Sequence, residues 1–144
     1  AGEIQKSINI PLHIFNEDQF LIDRVEETAK HFLGYSPGII KPTSIKHLIE
    51  AKNKIGIFEF SILNTPGHTP GSRCFYFKKE NIIFSGDTLF KQGIGRYDFS
   101  YSSKEDLKKS IRSLLKLPDD TIVYPGHGEK TIIGNEKEFA LTFF

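Results

Sequence analysis

Methionine is absent from this 144-residue chain, cysteine occurs once, and charge of either sign barely prevails. Each shortage excludes something. With Cys74 alone, no intrachain disulfide can form, so packing and hydrogen bonds must hold the fold. A net charge of +1 gives no field that would draw the chain to nucleic acid or to an anionic membrane surface. No apolar run approaches the ~18 residues of a membrane span, and no signal-peptide pattern opens the sequence. A cytoplasmic location is the default expectation. The missing methionine, with the opening Ala1-Gly2-Glu3, fits a chain cut from something longer. What is present is ordinary: 38% hydrophobic and 26% charged residues suit one globular domain. A chain of this size can bury roughly 70% of its unfolded surface.

The texture changes along the chain. Residues 1–8 read as the end of a helix, with Ile4 and Ile8 on one face. Ile8 to Phe15 reads as a short strand, Pro11 placing it at an edge. Asn16 can cap a short helix over EDQFLID, and Asp23 to Tyr35 reads as an amphipathic helix ended by Gly34. Ser36 to Pro42 is irregular. From Ile45 the segments KHLIEA, IGIFEFSILN, SRCFYFK and NIIFSG are apolar, β-branched or aromatic, and read as strands. A helix from Ser103 to Leu117 starts at Ser103 as cap and stops at Pro118. TIVYPG reads as a buried strand, and Asn135 can cap a last helix. The fold class is α/β with a β-rich centre.

Three polar residues stand where apolar strands end in glycine and proline: His68 in FSILNTPGHTPGS, Asp87 in NIIFSGDTLF and His127 in TIVYPGHG. Strands hold a backbone rigidly, and the small residues let a side chain project from the strand end. Imidazole and carboxylate suit zinc at about 2.0–2.2 Å, so three such ends can converge on metal. The spacing predicts all three in one cavity, none more than about 10 Å from both others, since paired metals sit about 3.5–4 Å apart. His13, His31 and His47 lack this setting and read as ordinary polar groups. An aspartate following a buried run needs a metal or a basic partner, because an unpaired buried carboxylate is expensive. Cys74, inside SRCFYF, reads as a small buried hydrophobe.

TPGHTPGS, FSGDTLF, GIGRYDF and YPGHGEKTIIGNEK, in this order, resemble the C-terminal signature of the metallo-β-lactamase superfamily, nearest its compact glyoxalase II-like hydrolases. The resemblance runs from about residue 1 to 140. It implies an αβ/βα sandwich, here incomplete, with the second sheet and its flanking helices present. It implies that His68 completes the first metal's histidine set, that Asp87 bridges both metals as the catalytic carboxylate, and that His127 binds the second. The metals would be two zinc ions in the complete fold, and a hydroxide between them would attack a thioester or related ester. Gly95-Arg96-Tyr97-Asp98 resembles the family phrase Gly-Arg-x-Asp, which makes Arg96 a substrate-binding candidate. The plainer reading is an Arg96–Asp98 pair that pins the loop.

The family's other ligands come from a His-x-His-x-Asp-His segment, and no His-x-His pair occurs here. The expectation is therefore a single domain over residues 1–144, truncated at its N-terminus, with those ligands upstream of Ala1. Three ligands shared between two metals close neither site. The expected partners are a small thioester or ester, with no nucleic acid or membrane, and either a second copy of the chain or its missing N-terminal part. Two alternatives remain: a persulfide dioxygenase-like enzyme with one iron, and a non-catalytic binding or assembly module.

Overall fold

The computed structural model describes residues 1–47 and 53–144. The chain divides into two compact units, Ala1–Ile49 and Glu50–Phe144.

The first unit opens with α1 (Gly2–Ile8), closed by Asn9 in the left-handed conformation. Strand β1 (Leu12–Ile14) follows, then a 3-10 turn (Asn16–Asp18), α2 (Gln19–Asp23) and α3 (Val25–Leu33), which stops at Gly34. Strand β2 (Ile45–His47) pairs with β1 in parallel. Gln5 ties α1 to the approach of β2: its Oε1 accepts the N–H of Thr43 at 2.7 Å and of Ser44 at 3.2 Å, and its Nε2 donates to the Ser44 carbonyl at 2.7 Å. The strand expected over Ile8–Phe15 is confined to Leu12–Ile14, downstream of Pro11, which has no N–H to give a ladder. Asn16 makes no capping bond and begins the 3-10 turn instead. The apolar face expected of α3 is not buried, with Phe32 61% and Leu33 53% exposed. Of the strand expected at KHLIEA, β2 is what is seen, and residues 48–51 lie outside the described residues.

In the second unit the stretch IGIFEFSILN is not one strand. Gly56, at φ 60°, turns the chain between β3 (Asn53–Ile55) and β4 (Phe58–Asn64), a backbone region glycine enters without steric penalty. Then come β5 (Arg73–Phe77), β6 (Ile82–Gly86), the short pair β7 (Leu89–Phe90) and β8 (Gly93–Ile94), α4 (Lys104–Leu114), β9 (Ile122–Pro125), β10 (Thr131–Ile132) and α5 (Ile133–Leu141). Among the described residues six strands form one sheet in the order β10-β9-β6-β5-β4-β3, antiparallel except for β6 with β9. A parallel neighbour needs a crossover, and α4 supplies it. Ser103 caps α4 by accepting the Asp106 N–H at 3.2 Å, as its sequence predicts. The last helix begins at Ile133, two residues before the expected cap Asn135.

Register separates the two sheet faces. Ser61, Tyr76, Ile83 and Val123 stand in one cross-strand row, with Leu63 and Cys74 beside them. This face packs on Leu107, Ile111 and Leu114 of α4 and on Ile133 and Ala140 of α5. The opposite face carries Phe58, Phe60, Phe75, Phe77, Phe84 and Tyr124. Their rings touch in a chain, from Phe60 stacked on Phe77 at 5.1 Å to Phe84 stacked on Tyr124 at 5.5 Å. Phe58 and Phe84 remain 46% and 43% exposed. No helix among the described residues is long and apolar enough to cross a membrane.

Cys74 lies at the centre of the packed face, fully buried, with its Sγ 3.3 Å from Thr65 Oγ1. Burial pushes the thiol up from 9.0 to about 11, the Thr65 and Thr88 hydroxyls only partly offsetting this. The unfolded thiol ionises above pH 9.0 while the folded one stays neutral, so this contribution to stability is intact below pH 9.0 and is lost as pH rises to about 11. Denaturation curves at pH 8 and pH 11 should show wild type losing about 2–3 kcal/mol more than Cys74→Ala does across that interval. Equal losses in the two proteins would remove the thiol from the account.

Candidate metal centre

Each of the three strand-end residues is held by its own local chemistry. His68 follows β4 in a turn fastened to α4, where the Ser103 N–H at the helix start donates to the Gly67 carbonyl at 2.8 Å and the Ser110 hydroxyl, two turns on, to the Pro66 carbonyl at 2.7 Å. The Ser102 hydroxyl donates to the carbonyl of His68 itself at 2.7 Å. Asp87 follows β6, and its turn is closed by the Ser85 hydroxyl donating to the Leu89 carbonyl at 2.8 Å. His127 follows β9, where Gly126 N–H donates to the Gly86 carbonyl at 2.8 Å and draws the two strand ends together. A Cβ at Gly126 would overlap the Asp87 carboxylate. The glycine of the second Pro-Gly-His turn is thus a clearance for Asp87.

The result is a single cleft of about 620 Å³ lined by His68, Asp87 and His127 together with Phe90, Arg96 and Phe99. Asp87 stands between the histidines: its Oδ2 is 3.7 Å from His68 Nε2 and its Oδ1 is 3.9 Å from His127 Nε2. These gaps are too long for hydrogen bonds and suit two donors that share an ion at about 2.0–2.2 Å from each. The His68 tautomer is fixed by chemistry. Its Nδ1 lies 2.9 Å from the Arg96 carbonyl, which can only accept, so Nδ1 carries a proton and Nε2 is the nitrogen turned toward Asp87. An outer hydrogen bond of this kind is what orients a metal-binding imidazole. His127 is placed by stacking on Phe90, with ring centroids 4.6 Å apart. Among the described residues no group of three or more His, Cys, Asp or Glu side chains is arranged to hold an ion by itself. Each Asp87 oxygen faces one histidine, so the donor set fits half of each of two sites.

Arg96 forms a bidentate pair with Asp98, Nε to Oδ1 at 2.9 Å and Nη2 to Oδ2 at 2.7 Å, and its guanidinium lies 4.4 Å over the Phe99 ring. The pair raises the arginine and lowers the aspartate from their ordinary values, mainly through that hydrogen bonding. Both side chains are about 60% exposed, so the pair is a loop fastening in water rather than a buried one. Across the cleft Lys91 and Glu129 pair at 2.5 Å. Phe90, Lys91, Phe99, Tyr101 and Glu129 were not legible as site residues. Two of them, Phe90 and Lys91, sit in the β7–β8 pair or its turn, whose two-residue strands carry no periodicity, and the Lys-Gln-Gly turn was its sole signal.

An α/β chain with candidate metal ligands after three strands of one sheet, two of them adjacent, defines a class, and comparison gives the family. The metallo-beta-lactamase superfamily profile matches residues 1–127, and the chain belongs to that superfamily, a metal-dependent hydrolase group. Its mixed sheets and five helices among the described residues match the fold of solved members, as the sequence resemblance implied. Hydroxyacylglutathione hydrolase GloC of Haemophilus influenzae is 37% identical over 139 residues, 95% of this chain and 66% of that protein. TTHA1623, solved in a di-iron-bound form, is 31% identical with a TM-score of 0.84 over 95% of this chain and 67% of that one. ETHE1 from Myxococcus xanthus is 35% identical with a TM-score of 0.58 over 68% of this chain and 44% of that one. The chain spans about two thirds of the length of the curated relatives it matches.

The Gly126 clearance makes a sharp test. Gly126→Ala should displace the Asp87 carboxylate and lower metal affinity about 10-fold or more, the scale on which ligand-orienting contacts act. Gly126 is exposed just beyond the end of β9 and takes no part in the core, so thermal stability should change little. An alanine variant with wild-type affinity in a zinc titration would show that the carboxylate does not depend on this gap.

Proposed function

We propose that this chain forms part of a metal-dependent hydrolase of glyoxalase II-like type, cleaving a thioester or related ester. One observation carries the reading: the two oxygens of Asp87 face the Nε2 atoms of two different histidines inside one cleft. In this reading His68, Asp87 and His127 would help to hold zinc, each histidine together with one oxygen of Asp87. When bound, zinc acidifies water at neutral pH and polarises the substrate carbonyl.

The chain's own residues do the rest. The Arg96 carbonyl holds His68 with its Nε2 turned toward Asp87. Phe90 and Phe99 form apolar walls beside His127 and His68, at ring distances of 4.6 and 5.7 Å, and fix where the two imidazoles stand. Arg96 lies on the substrate side, its charge held at a fixed place by Asp98. A second reading, a persulfide dioxygenase-like iron enzyme, draws on the Gly-Arg-x-Asp phrase at Gly95–Asp98, and the di-iron-bound neighbour keeps iron in view.

Metal analysis of the intact protein separates the two: two zinc ions per chain support hydrolysis, and one iron supports dioxygenation. Asp87→Ala should reduce thioester hydrolysis to the background rate, because it removes the charge both ions share. His31→Ala, on α3, should leave the rate unchanged. Equal rates in wild type and the Asp87 variant would sink the proposal.

A further inference from the structure

Glu136 is charged by composition and 1% exposed by position, in the first turn of α5, and nothing in the proposed chemistry uses it. A carboxylate so placed needs partners, since burying it unsatisfied is costly. It has two. Its Oε1 accepts the Thr131 hydroxyl at 2.6 Å, and its Oε2 accepts the backbone N–H of Gln92 at 2.8 Å. Gln92 sits at the tip of the β7–β8 pair with φ 52°, a left-handed conformation that a non-glycine residue holds only where its surroundings enforce it. The buried carboxylate enforces it by gripping the amide.

The β7–β8 pair reaches both histidines. Its first strand carries Phe90, on which the His127 ring lies at 4.6 Å. Its second strand runs into Gly95 and Arg96, whose carbonyl accepts the His68 Nδ1–H at 2.9 Å. Thr131, the other partner, opens β10 four residues beyond His127. Glu136 therefore joins the segment that orients both imidazoles to the segment that carries one of them. We propose that Glu136 is a positioning residue for the metal centre, setting the His68 tautomer and the His127 ring through the β7–β8 pair without touching either. Its purpose rests on the metallo-hydrolase reading, but the orientation it imposes exists with or without metal.

The test uses the intact protein and two readouts. The first is the imidazole nitrogen spectrum of the metal-free protein, which reports the His68 tautomer and the ring environment of His127. The second is affinity for zinc by titration. Glu136→Ala should give His68 a mixture of tautomers, move the His127 signals, and weaken zinc binding about 10-fold or more, the range for outer-shell contacts. Glu136→Gln can accept from the Gln92 amide and donate to the Thr131 hydroxyl, so it should restore most of both. Ile133→Ala, which opens a gap in the core under the same helix and leaves both Glu136 hydrogen bonds in place, controls for lost stability and should leave the histidine spectra unchanged. If the alanine variant does not fold, Glu136→Asp, one methylene short of spanning both partners, should show the same spectral changes. Wild-type histidine spectra in Glu136→Ala or Glu136→Asp would overturn the proposal, as would equal changes in Ile133→Ala. Altered histidine spectra in a protein that binds no zinc even as wild type would keep the positioning role and dismiss the hydrolase reading.

Discussion

The site hangs on one pairing, the parallel contact of β6 with β9. Ile82 to Phe84 run beside Ile122 to Tyr124, and after an irregularity Gly86 stands opposite Pro125. Because the strands are parallel, the residues that follow them leave the same edge of the sheet, Asp87 directly after β6 and His127 one residue beyond β9. An antiparallel pair would have sent them to opposite ends. The pairing is affordable because α4 spans the crossover and fills the space behind it with Leu107, Ile111 and Leu114. His68 joins from β4 through hydrogen bonds to that same helix. The layer that packs the sheet also locates the third donor.

Charge around the cleft is arranged to cancel outside the donor set. Lys91 faces Glu129 and Arg96 faces Asp98, each pair exposed and each spanning residues that border the site. Pairs of this sort add little stability in water. Their use is geometric: they hold loops in one place without leaving a net field to compete with cations for Asp87.

How much of this could be read in advance depended on period and reach. Strands with five or more residues and clear turn residues, such as Arg73–Phe77 and Ile82–Gly86, were legible, as was α4 from its Ser103 cap. His68, Asp87 and His127 were legible because strand, small residue and donor recur three times. The β7–β8 pair was not, since two residues cannot show an alternation. Gly56 was hidden inside an apolar run that looked like one long strand. Glu136 was invisible because its partner is the amide of Gln92, 44 positions away, and a backbone group leaves no mark on the sequence. Arg96 and Asp98 were legible as a pair, as the plainer reading of the Gly-Arg-x-Asp phrase they belong to.

The aromatic face of the sheet bears on how the polypeptide behaves before it is folded. Phe58, Phe60, Phe75 and Phe77 come from strands that are neighbours in sequence as well as in space, so the hairpin that joins them can gather its rings early, by local collapse. An intermediate of that kind displays a sticky, flat β surface with an edge strand, β3, only three residues long. Two such surfaces meeting by diffusion compete with the slower closing of β6 on β9, which must wait for the α4 crossover. Recovery from denaturant should accordingly be a contest between a first-order step and a second-order one, decided by dilution.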